Sequence, residues 1–108
     1  MRKKPRSRLL KPRWKKSRLE ELVRRAIGDV DDAEEQAQAF YEAIGEHVRF
    51  PFRLKVGIAR GIAVDEEDEI VVLCDGTPEG IPLLELEIPK PAPKGAEWIE
   101  AYRLWLAE

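Results

Sequence analysis

Ten of the chain's nineteen Lys and Arg residues lie among the first eighteen positions, which hold no acid, while all twenty-one Asp and Glu residues fall in the remainder. The basic block cannot build a core. It offers only Leu9, Leu10 and Trp14 for burial, and Pro5 and Pro12 interrupt it. Like-charged segments of this kind are solvated or interaction arms. The fold is therefore left to the rest of the chain, and a total of 108 residues bounds it to one hydrophobic core. We read residues 1–16 as a basic, disordered tail and 17–108 as a single acidic α+β domain.

No apolar run reaches the length of a membrane span. Lys11, Pro12 and Arg13 directly follow Leu9 and Leu10, which leaves no apolar core for a secretory signal, so a cytoplasmic location is expected. The single cysteine, Cys74, excludes an internal disulfide framework and supplies no second thiol for a zinc knuckle.

Helical periodicity opens after the tail. Ser17 and Glu20 have the spacing of a capping box, and Leu19, Leu22, Val23 and Ala26 form one apolar stripe that Gly28 ends. A second helix opens in the acidic run Asp29 to Glu35, capped by Asp31 with Glu34 or Asp32 with Glu35, and continues to about Val48. Ala37, Phe40, Tyr41, Ile44 and Val48 define its buried face.

Phe50-Pro51-Phe52 marks the exit from helix, because the residue before proline is pushed toward extended backbone. Phe52, Leu54, Val56 and Ile58 then alternate with Arg53, Lys55 and Gly57 as in a half-buried strand. Ile70 to Cys74 is a continuous apolar run suited to a central strand, and Asp75-Gly76 is a turn signal. Leu84, Leu86 and Ile88 alternate with Glu85 and Glu87, which predicts a further strand over 81–88. Pro89, Pro91 and Pro93 make a stiff extended connector, and a last helix carries Trp98, Ala101, Tyr102 and Trp105 on one face as packing aromatics. The sheet is expected to be a short antiparallel meander.

The inventory for nucleophilic catalysis is poor, so no enzymatic activity is expected. His47, the single histidine, sits where a helix C-terminus favours a positive or hydrogen-bonding side chain. Ser7 and Ser17 lie in the tail and at a cap, and Cys74 lies in a strand run where a thiol is inert. One His and one Cys also give soft metals few ligands, whereas the carboxylates suit hard cations such as calcium. The EF-hand template fails from Asp29, where Glu34 and Phe40 occupy the positions of its glycine and last glutamate. It fails from Asp65 too, where Ile70 and Gly76 do. Acids at a helix N-terminus need no metal to explain them, since dipole and capping stabilise each by about 0.3–1 kcal/mol. The run Asp65 to Glu69 reads as a solvated turn.

The acidic run ending in Glu35-Gln36, the Phe50-Pro51-Phe52 step and Gly95-Ala96-Glu97-Trp98-Ile99-Glu100-Ala101-Tyr102-Arg103 occur in this order over roughly residues 18–106. In these pieces the chain resembles the bacterial and cyanobacterial CcbP-like calcium-binding protein family. The resemblance implies a small SH3-like antiparallel barrel flanked by two N-terminal helices and one C-terminal helix. It also implies calcium (Ca2+) bound by acidic side chains without an EF-hand. On this chain the implied ligands are Asp29, Asp32 and Glu35, with Asp31 and Glu34 as neighbours. The basic tail has no counterpart in that pattern. Its cations and Trp14 fit an interaction module that holds nucleic acid or an acidic partner protein, or else a solvated arm.

Overall fold

The computed structural model describes residues 14–76 and 79–107. Three helices and four strands follow one another as α1 (Lys16–Ile27), α2 (Ala33–His47), β1 (Phe52–Leu54), β2 (Gly57–Val64), β3 (Ile70–Cys74), β4 (Ile81–Pro82) and α3 (Glu97–Ala107). The class is α+β, as the sequence implies. The strands form an antiparallel meander in the order β1-β2-β3-β4, an open sheet rather than a closed barrel. Among the described residues no helix is long and apolar enough to cross a membrane.

The helical faces follow their periodicity. Leu19 and Leu22 of α1, Phe40 and Ile44 of α2, and Trp98, Ile99, Ala101 and Tyr102 of α3 enter one core with Ile70, Val72 and Cys74 of β3. Phe40 sits among the α3 aromatics, with ring centroids 5.6 Å from Tyr102 and 5.2 Å from Trp105. The Ile70–Cys74 run is the inner strand expected, paired with β2 on one side and β4 on the other.

Four details differ from the sequence reading. Helix α1 starts at Lys16 without a side-chain cap, so Ser17 lies inside its first turn and forms no capping box with Glu20. Trp14, assigned to the tail, packs against the core cluster, while residues 1–13 lie outside the described residues.

The third difference lies in the alternating stretch from Phe52 to Ile58, which is two strands and not one. Lys55 and Val56 form a two-residue turn, Leu54 faces Gly57, and Val56 is left 56% exposed. Gly57 permits the break: its φ is 149°, and a Cβ there would overlap the Asp75 carbonyl. The fourth difference is that the predicted strand 81–88 ends after Pro82. Beyond it Glu85 N–H donates to Pro82 O at 2.9 Å and Leu86 N–H to Leu83 O at 3.4 Å, so the backbone coils through turns. Leu83 and Leu86 are buried and Leu84 is 50% exposed, a spacing of three instead of two.

Candidate functional site

The five carboxylates singled out by the sequence lie at the α1–α2 junction. Gly28 ends α1, its N–H donating to Arg24 O at 2.8 Å, and Val30 N–H donates to Ile27 O at 2.9 Å. Gln36 Nε2 reaches back to Val30 O at 2.6 Å, which ties the connection to the first turn of α2. Of the two capping pairs, Asp32 with Glu35 forms: Asp32 Oδ2 accepts from Glu35 N–H at 3.3 Å. Asp29, Asp31, Asp32, Glu34 and Glu35 are all exposed. The chain brings them close in sequence but does not converge them. Among the described residues no group of three or more His, Cys, Asp or Glu side chains is placed to hold a metal ion.

The second acidic run builds a turn. Asp65 Oδ1 accepts from Glu67 N–H at 2.8 Å and Glu69 N–H at 2.9 Å, and Asp65 N–H donates to Glu69 O at 2.9 Å. One carboxylate thus organises the β2–β3 connection. His47 is the last residue of α2, exposed and stacked on Trp98 with centroids 4.5 Å apart and planes 7° apart. The Arg25 guanidinium lies 5.8 Å from the Trp98 ring centre. Cys74 is buried, with its Sγ 3.4 Å from Asp75 O.

Two α3 residues hold distant backbone. Tyr102 Oη accepts from Ile70 N–H at 3.2 Å at the start of β3. Burial pushes the Tyr102 hydroxyl above the usual tyrosine range. The Ile70 bond opposes the rise, and the negative Glu69 and Asp65 add to it. The native state therefore keeps this proton after the unfolded chain has begun to lose its own near pH ~10. Stability from this group is fully present below pH ~10 and is lost as pH rises from there through the raised native value. Tyr102→Phe should cost about 1–2 kcal/mol at neutral pH, because Ile70 N–H loses its partner. It should also flatten the alkaline decline, as urea melts of both proteins from neutral to alkaline pH would reveal. A parallel decline in the variant would assign it to other groups.

Arg103 is the second. Its Nε donates to Leu83 O at 2.8 Å, Nη2 donates to Leu86 O, and Nη1 meets Glu100 Oε1 at 3.0 Å. These contacts hold the coil that replaces the predicted strand.

Sequence reasoning missed one further feature. A groove of about 730 Å³ runs between the outer edge of β1 and the proline-rich connector, with Leu54 and Ile88 among its apolar lining. Arg53, Lys55 and Lys90 contribute its positive charge and Glu87 its negative charge. The signal was in the chain: the stretches 47–64 and 88–96 contain six Lys and Arg residues and no acid. The chain matches no protein-family model, no curated protein and no solved structure.

Proposed function

We propose that the protein is a non-enzymatic, non-EF-hand calcium-binding protein that takes the ion on the carboxylates of the α1–α2 junction. The observation that carries the reading is five exposed carboxylates within seven residues, Asp29 to Glu35. Among the described residues, none of the ion pairs uses any of them. Among the described residues no cation offsets their negative charge, and a divalent ion would supply one. The resemblance to CcbP-like proteins supports the same ligands, Asp29, Asp32 and Glu35 with Asp31 and Glu34 beside them. It also relates the open meander to an SH3-like barrel.

Two effects weaken such a site. The α2 dipole opposes a cation at its N-terminus. Asp32 already accepts a backbone hydrogen bond, and the other carboxylates must gather as the ion arrives. The expected dissociation constant is on the order of 10⁻⁴ to 10⁻³ M. Calorimetric titration of metal-stripped protein should give saturable heat with calcium and much less with magnesium. No calcium-specific heat at millimolar concentration would eliminate the proposal. Replacing Asp29 and Asp32 by Asn and Glu35 by Gln should abolish the heat while the helix persists, because Asn is as good an N-cap as Asp.

A further inference from the structure

The groove beside β1 joins three features: a strand edge that pairs with no further strand among the described residues, an apolar lining and positive charge. The edge follows from the register. Across the two-residue turn Leu54 pairs with Gly57, and the next pair is Arg53 with Ile58. The residues flanking such a turn exchange hydrogen bonds, and the following pair does not. The Ile58 carbonyl agrees with this alternation, since it accepts from Asp75 N–H at 3.0 Å on the far side of β2. The N–H and C=O of Arg53 therefore point away from β2, toward the groove. The facing connector has Pro at 89, 91 and 93, whose ring nitrogens cannot donate to the Arg53 carbonyl.

Charge selects the occupant. Among the described residues that line the groove, Arg53, Lys55 and Lys90 are exposed against one carboxylate, that of Glu87, which lies 3.7 Å from Lys55 Nζ. This is a basic patch on a body that is otherwise acidic. The lining also decides between a peptide and a nucleic acid. Base stacking needs an open aromatic face. Among the described residues the one aromatic that lines the groove, Phe52, is half-buried and packed on Phe50 at 5.3 Å between centroids. Aliphatic and proline side chains beside an open strand edge suit an extended polypeptide instead.

We propose that this groove binds an acidic peptide segment in extended conformation, which adds a strand to β1 through the Arg53 backbone and sets its carboxylates against Arg53, Lys55 and Lys90. Alternate side chains of the added strand point inward and outward. Apolar residues thus meet Leu54 and Ile88 while acidic ones reach the rim. The site is separate from the α1–α2 carboxylates and does not depend on calcium.

The test uses the full chain and a fluorescent peptide of alternating Glu and Val, with a Lys and Val peptide as control. Anisotropy should report binding of the acidic peptide alone, weakening as salt is added. Arg53→Glu and Lys90→Glu change exposed side chains, and each should weaken binding by about tenfold. Amide exchange at Arg53 should slow when the peptide is bound, which a purely electrostatic contact would not cause. Affinity unchanged in both variants would place the peptide elsewhere, on the basic N-terminal residues for instance, and overturn the proposal. Equal binding of the control peptide, unaltered exchange at Arg53, or displacement by a single-stranded oligonucleotide that binds more tightly would overturn it as well.

Discussion

Arg103→Met should lower the unfolding free energy by about 3 kcal/mol, a large share of the total for so small a domain. The Arg103 and Glu100 side chains are only 22% and 19% exposed, so water replaces their hydrogen bonds poorly. Hydrogen bonds to a charged group contribute about 1.5–3 kcal/mol each. Arg103 makes two of them to the carbonyls of Leu83 and Leu86, besides its contact with Glu100. Methionine keeps an apolar stem of similar length, so the variant chiefly removes the guanidinium. Loss of the restraint should free residues 83–86 first, raising amide exchange there above the rest of the sheet. Arg103→Lys should recover only part of the loss, because an ammonium lacks the planar fork that reaches two carbonyls at once. Urea melts would measure the difference. A midpoint change worth less than about 0.5 kcal/mol, the range of ordinary surface substitutions, would show that the coil does not depend on this side chain.

Gly95→Ala should be comparably damaging, at about 2–4 kcal/mol. Gly95 has φ of 89°, in the region L side chains avoid. An added Cβ would run into the His47 carbonyl and lie 2.8 Å from Val48 Cα, and both are backbone atoms that cannot rotate aside. Relief requires α3 to move away from the end of α2. That would pull Trp98 from its stack on His47 and strain the 2.8 Å bond from Arg49 N–H to Lys94 O. Near-ultraviolet circular dichroism should therefore change along with stability. Gly45→Ala is the control of opposite sign. Gly45 lies within α2 with ordinary backbone angles, and its added Cβ would meet only Ile62 Cδ1 at an ordinary 3.8 Å. A gain of about 0.5–1 kcal/mol is expected there. If both substitutions stabilised the protein, close packing at Gly95 would not matter to the fold.

The stretch from Gly95 to Arg103 thus contains residues with structural tasks. Gly95 admits the close approach of two helices, Trp98 receives His47, Tyr102 holds the start of β3, and Arg103 holds the coil after β4. Each needs a partner remote in sequence. The candidate calcium residues differ in kind. Their grouping in Asp29 to Glu35 is local, so it is legible in the chain, and the structure leaves them exposed and unconverged.

The sequence by itself determined what depends on short-range pattern. It placed the apolar faces of α1, α2 and α3, the inner position of Ile70–Cys74, the turn at Asp75-Gly76 and the segregation of charge, because residues near in sequence create these signals. Only the tertiary structure decided where regular patterns stop. The alternation over 52–58 breaks at a turn before Gly57, which packs against the Asp75 backbone. The alternation over 84–88 yields to turns whose carbonyls bind Arg103, seventeen to twenty residues away. The groove beside β1 is of the same kind, since it unites residues 52–55 with residues 87–93, which chain folding alone sets side by side. Alternation records which residues are apolar. Partners brought from a distance determine whether the backbone between them pairs or turns.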